Sequence, residues 1–97
     1  MSTYVILGQF TDQGIRNVKD SPRRAEAMRA MAAKAGVTVK DVYWTLGQYD
    51  IVTIVEAPDD ASVTALMLGT GALGNVRTQC LRAFDASEMS GVLGRMG

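Results

Sequence analysis

Short apolar runs alternate with stretches in helical register along this chain. Thr3 to Phe10, TYVILGQF, is brief, β-branched and aromatic, and apolar in both parities, so it predicts a strand covered on both faces. TDQGIRNVKDSP interrupts that pattern with Gly14 and with side chains that bond their own backbone. Ser21 and Pro22 then fit the cap and first residue of a helix reaching about Ala35. Along it Ala25, Met28, Ala32 and Ala35 share a stripe with Met31 beside it, while Arg23, Arg24, Arg29 and Lys34 take the polar faces. Gly36 stands where a left-handed stop belongs.

VTVKDVYWTLG places Val37, Val39, Tyr43 and Thr45 in one parity and Val42, Trp44 and Leu46 in the other, with a break near Lys40 and Asp41 that predicts a bulge. YDIVTIVEAP follows, β-branched through its centre, as a central strand, so residues 37 to 57 form a hairpin. Pro58, Asp59 and Asp60 open a second helix with acidic residues at its positive end, and Val63, Leu66 and Met67 mark its buried stripe. It fades into GTGALGN. NVRTQCLRAF alternates as a fourth strand, and Asp85 with Glu88 makes a capping-box start for a short terminal helix weakened by Gly91 and Gly94.

Strand, helix, strand, strand, helix, strand is the order of a single α+β domain over residues 1–97. It predicts a ferredoxin-like βαββαβ arrangement, with a four-stranded antiparallel sheet, both helices on one face and a C-terminal helix. The other face would lie open, yet the strands are apolar in both parities, Val5 and Leu7 against Tyr4 and Ile6, and Ile51, Thr53 and Val55 against Val52 and Ile54, so whichever set faces outward is apolar. At about 25 cal/mol per Å² of apolar surface, a wet face of that kind forfeits several kcal/mol and invites association. Two such sheets packed face to face, as in a dimeric α/β barrel, would cover it, so the expected partner is a second copy, in a homodimer or a higher homo-oligomer.

Composition narrows the chemistry. The chain has 97 residues, ten basic and ten acidic, with no net charge to steer it toward nucleic acid or a membrane. Residues 16 to 40 are locally basic, with seven basic against two acidic residues and an excess of +5. They lack interleaved aromatics and a recognition motif, so a solvated helix face is favoured over nucleic-acid binding. One cysteine, Cys80, excludes an intramolecular disulfide, and no apolar run approaches the roughly 20 residues of a membrane span. With MSTYVILGQF showing neither basic leader nor cleavage site, a cytoplasmic location is expected. Histidine is absent, which removes Ser-His and Cys-His nucleophile pairs, histidine-bound zinc and histidine-ligated haem. No cofactor and no metal are expected.

Within LGQYDIV, Gly47 suits the positive φ of a turn, and Asp50 suits backbone N–H groups or an arginine that would fix hairpin register. The reactive alternative makes Asp50 a general base and Tyr49 a donor to a substrate oxygen, with Arg77 as charge partner or anion clamp. The turn role is favoured, because perturbed carboxylates are rarer than turn residues. LGTGALGNVRT resembles a phosphate loop only superficially, since its glycines close a helix and open a strand. Trp44 and Tyr4 are candidates to line a ligand pocket between helices and sheet or between subunits, and the six methionines suit gap-filling core or dimer contacts. Cys80 reads as a small strand residue with no histidine to activate it.

Taken together, FTDQGIRNVKDSPRR, TLGQYDIVTIVEAPDD and GNVRTQCLRAF resemble the GYD-domain family, small bacterial and archaeal proteins named for a Gly-Tyr-Asp signature. Gly47, Tyr49 and Asp50 would be that signature, with Gln48 between the glycine and the tyrosine. The resemblance implies a ferredoxin-like fold related to the dimeric α/β barrels and supplies no catalytic residues. The leading expectation is a small cytoplasmic homo-oligomeric domain without an assigned reaction, with room for a small-molecule ligand. The alternative is a cofactor-independent enzyme, monooxygenase or isomerase-like, acting on a small carbonyl or aromatic compound, with Asp50 as acid or base and Tyr49, Trp44 and Arg77 positioning substrate. Anion or nucleic-acid binding through the basic first helix stands behind both.

Overall fold

Alternation in the first apolar run becomes the two faces of a central strand. The computed structural model describes residues 1–97. Strand β1 (Ser2–Phe10) pairs antiparallel with β3 (Ile51–Ala57) on one side and β4 (Val76–Ala83) on the other, and β2 (Thr38–Trp44) closes the far edge, for a strand order β2-β3-β1-β4. Helices α2 (Ser21–Lys34) and α3 (Asp60–Ala72) lie on one sheet face, with a one-turn α1 (Asp12–Arg16) before them and α4 (Ala86–Gly94) at the end. This is the ferredoxin-like arrangement. No helix is long and apolar enough to cross a membrane.

The core forms where the even residues of β1 and the odd residues of β3 meet the helices. Tyr4, Ile6, Val55 and Ala57 are buried against Ala32 of α2, Val63 and Leu66 of α3, and Val37. Their sequence neighbours project from the other face: Val5 pairs with Ile54 and Leu81, and Leu7 with Val52 and Gln79. No element covers them, and they remain half-buried or, as with Leu81, exposed.

Local chemistry sets the boundaries. Register shifts between Val39 and Asp41, the bulge expected at Lys40. Gly36, Gly47 and Gly74 take positive φ of 76°, 104° and 86° at the end of α2, in the β2–β3 turn and before β4. Asp59 caps α3 by accepting from the Ser62 N–H at 2.8 Å, and Asp85 with Glu88 forms the reciprocal capping box of α4.

Three local readings change. The interruption after β1 is a helical turn capped by Thr11, followed by a 3₁₀ turn over Val18–Asp20, instead of open loop. It exists because Gly14 presses on the backbone of Asn75, where any Cβ would stand 1.9 Å from the Asn75 carbonyl oxygen. Ser21 is the first residue of α2 with Asp20 as its cap, and the Ser21 hydroxyl instead accepts from Trp44 Nε1 at 2.8 Å. Finally, α3 runs through Gly69 and Gly71 to Ala72, and Met31 of α2 packs over Gly69, its sulfur 3.4 Å from where a Cβ would lie.

Candidate functional site

The signature turn is a clasp. From the end of β2 the chain reverses at Gly47, and Thr45 closes the reversal by donating its N–H to the Asp50 carbonyl at 2.8 Å and its hydroxyl to the Tyr49 carbonyl at 2.6 Å. Three consecutive residues then reach across to the neighbouring strands. The Gln48 carbonyl accepts from Gln9 Nε2 at 2.8 Å, and the Tyr49 hydroxyl donates to Gln79 Oε1 of β4 at 3.1 Å. Asp50 binds β1 twice, donating its N–H to the Gly8 carbonyl at 2.9 Å and accepting the Phe10 N–H on Oδ2 at 2.8 Å. Its carboxylate satisfies a ladder donor that β3 begins too late to reach.

Arg77 stays apart from that carboxylate. It lies opposite Gln9 on β4, while Asp50 precedes Ile51, the partner of Gly8 on β3. The two therefore flank β1, two strand spacings or about 9–10 Å apart. No ion pair forms between them, and Arg77 is exposed on the open face. The grouping of Asp50, Tyr49 and Arg77 around one enclosed point is absent.

Trp44 and Tyr4 face the helix side, at opposite ends. Trp44 borders a chamber of about 270 Å³ between α2, α3 and the sheet. Gly8 and Ile51 form part of its floor, and Ala25, Met28 and Met31 part of its roof. It exists because of small residues: Gly8 leaves a hole in a strand otherwise filled by Tyr4 and Ile6, and the α2 stripe offers alanine where a leucine would fill the gap. Tyr4 lies outside this chamber. Its hydroxyl donates to the Asp60 carboxylate, and that hydrogen bond, with burial and the Asp60 charge adding to it, raises the phenol above its ordinary range. Arg82 sits beside the Tyr4 and Phe84 rings and binds Glu88 at 3.1 Å, tying α4 to the sheet.

Cys80 shares this end of the sheet. Partial burial, and then the Asp60 charge, push its thiol upward, away from the reactive thiolate. The basic segment is dispersed. Arg23 pairs with Asp20, Arg24 donates to the Asn17 and Gly14 carbonyls, Arg29 donates to the Val39 carbonyl, and Lys40 pairs with Glu56.

Sequence patterning missed Gly8, Ser21 and Arg24 as chamber residues. A glycine inside a β-branched run was the available signal, since such a glycine marks a place where something approaches the backbone closely.

The GYD domain family matches residues 4–93. A protein of Thermus thermophilus named glutamine synthetase and cystathionine beta-lyase binding protein is 34% identical over 90 residues, covering 92% of this chain and 95% of the relative. Among crystal structures, TTHA0845 of the same organism superposes with TM-score 0.57 and 27% identity over 89% of this chain and 96% of that one. FFRP-DM1 superposes at 0.61 with 22% identity over 87% of this chain and all of that one. A homoserine dehydrogenase from Thiobacillus denitrificans also reaches 0.61, at 17% identity, over 87% of this chain but only 17% of that enzyme. The last two speak for the fold alone.

Proposed function

The chain belongs to the GYD-domain family, and from that premise we propose that it is a homo-oligomeric binding module that docks on enzymes of amino-acid metabolism. The observation that carries self-association is the open sheet face, where Val5, Leu7, Val52 and Ile54 form an apolar centre with no covering element. Four strands at about 4.8 Å and seven or eight residues at about 3.3 Å give about 500 Å² per subunit. Two such faces bury about 1,000 Å², the lower limit for a specific interface. A second copy fits because the edges differ in sign: β4 carries Arg77, whereas on β2 Lys40 is paired with Glu56 at 3.2 Å and Asp41 is left without an ion pair, so a two-fold axis along the strands sets each cationic edge over an acidic one.

Docking on an enzyme is supported by the 34% identical relative, whose name records binding to glutamine synthetase and cystathionine beta-lyase. Helix α4 offers the surface. Met89, Val92 and Leu93 are exposed at the spacing of one helical stripe. An intracellular setting follows from such partners.

Light scattering at micromolar concentration should give at least the dimer mass, and Ile54→Lys should reduce it to the monomer with an unchanged circular dichroism spectrum. Immobilised protein should retain purified glutamine synthetase from the same organism, and Leu93→Asp should release it. A wild-type monomer would remove the self-association, and failure to retain glutamine synthetase would remove the docking role.

A further inference from the structure

The chamber behind the sheet is independent of the association just proposed, and its lining specifies a ligand. We propose that it binds a small monocarboxylate with an apolar or aromatic body, the carboxylate held by Arg24 and the body lodged over Gly8 between the methionines of α2 and Trp44.

Charge is the first support. Of the 18 residues lining the chamber, 11 are hydrophobic and Arg24 is the only one with a formal charge. Its guanidinium is positioned by the Asn17 carbonyl at 2.9 Å and the Gly14 carbonyl at 3.3 Å, and no carboxylate pairs with it. Two neutral acceptors leave donors of the five-donor fork unused and the positive charge uncompensated beside an apolar space. An anion satisfies both; a cation there would be repelled. A planar carboxylate suits the fork, and an apolar chamber has one cation to offer, so one carboxylate is the complement.

Hydroxyls refine the polar end. Ser21 is buried and its oxygen already accepts from Trp44 Nε1 at 2.8 Å, which leaves the Ser21 O–H as a donor. Ser21 and Arg24 lie one turn apart on α2, so both reach the same end of the chamber. The bond to Ser21 also fixes the indole.

Size and shape set the body. A volume of about 270 Å³ corresponds to roughly nine waters at about 30 Å³ each, space for one ring and a short acid side chain. Methionine walls adapt to an irregular apolar body and make favourable contacts with an aromatic edge. Interiors are otherwise packed to crystal density, so a chamber this large in a domain of 97 residues calls for an occupant.

Gly8 gives the decisive variant. A Cβ built there meets only Ile51, at 3.6 Å, an ordinary van der Waals contact, and Gly8 does not have positive φ. Gly8→Val should therefore fold, suit the strand and fill the floor.

Trp44 is the chain's single tryptophan, so its fluorescence reports the chamber directly. Titration with 3-phenylpropionate, its amide and 3-phenylpropylamine compares anion, neutral and cation on one body. The expected result is a saturable change with the acid, at least about tenfold weaker binding of the amide, and no binding of the amine. Arg24→Gln should bring the acid to the level of the amide. Gly8→Val should abolish all response while keeping or raising the melting midpoint. A response to the acid that fails to saturate, equal affinity for acid and amide, or unchanged binding by Gly8→Val would each overturn the proposal. Because the wild-type comparison of acid with amide needs no substitution, the outcome does not depend on Arg24→Gln folding. A monomer in light scattering would leave this result untouched, so the two proposals fail separately.

Discussion

Replacing Asp50 with alanine decides whether the signature aspartate is a lock or a catalyst. In the native fold its Oδ2 accepts the Phe10 N–H at 2.8 Å, beyond the last residue pair of the β1–β3 ladder. Alanine leaves that N–H without a protein acceptor. A hydrogen bond to a charged group contributes about 1.5–3 kcal/mol, and because Phe10 and Asp50 are half-buried, water recovers part of it. The expected loss is about 1–2 kcal/mol. Asp50→Asn keeps an acceptor oxygen and loses the charge, so it should fall about halfway. Urea unfolding at one fixed protein concentration measures both, with the slope unchanged because the surface exposed on unfolding is the same. For a domain this size the alanine variant should melt about 4–16 °C lower. A carboxylate retained for chemistry carries the opposite expectation, since active-site residues are often neutral or costly to stability. Asp50→Ala within about 0.3 kcal/mol of wild type, or above it, would refute the lock.

Other expectations follow from equally local geometry. Gly14→Ala places a Cβ 1.9 Å from the Asn75 carbonyl oxygen, with backbone on both sides of the clash, so α1 must move and about 2–3 kcal/mol should be lost in urea unfolding. The Thr11 N–H, bonded to the Asn75 carbonyl at 3.1 Å, should exchange faster in that variant. The Asp59 carboxyl is held below its ordinary range by the Ser62 hydroxyl and N–H. Its folded pKa lies below the unfolded one, so its contribution is full above the ordinary aspartate range and is lost as pH falls through the lowered value. Asp59→Asn should flatten that acid limb, and an identical pH–stability curve would count against the cap. Cys80, pushed upward by partial burial and then by Asp60, should react with iodoacetamide along a pH profile displaced above that of a free thiol. Asp60→Asn should bring it partly back, and a profile matching free cysteine would contradict that environment.

What the sequence revealed depended on where the determining contact lay. Short β-branched runs placed the first and third strands and parity patterning the second and fourth, Gly36 and Gly47 marked reversals that need positive φ, and the Lys40 irregularity became a register shift. Each is decided within a few residues. The α1 turn was hidden because Gly14 works against Asn75, far along the chain. Ser21 looked like a cap because a serine before a proline usually is one, but its hydroxyl is claimed by an indole from β2. Asp50 and Arg77 looked capable of meeting, and topology put β1 between them. The chamber was least visible of all, because periodicity records the side chains present and a chamber is made where they are small.

Adjacent residues on β1 allow the two proposed roles to be separated. Leu7 points to the open face, paired with Val52 and Gln79, while Gly8 points to the chamber, paired with Ile51 and Thr78. One peptide bond divides them, because successive strand side chains project to opposite sides. Leu7→Lys puts a charge in the centre of the proposed dimer face, where burying it unpaired costs several kcal/mol, enough to dissociate an interface of about 1,000 Å². In the separated subunit the same lysine can extend to water along its apolar stem, so the fold persists. The chamber floor is untouched, and 3-phenylpropionate should still change Trp44 fluorescence. Gly8→Val should do the reverse, ending that response and leaving the mass in light scattering unchanged. The independence is refuted if folded Leu7→Lys loses both properties, since the chamber would then take its shape only in the assembled form.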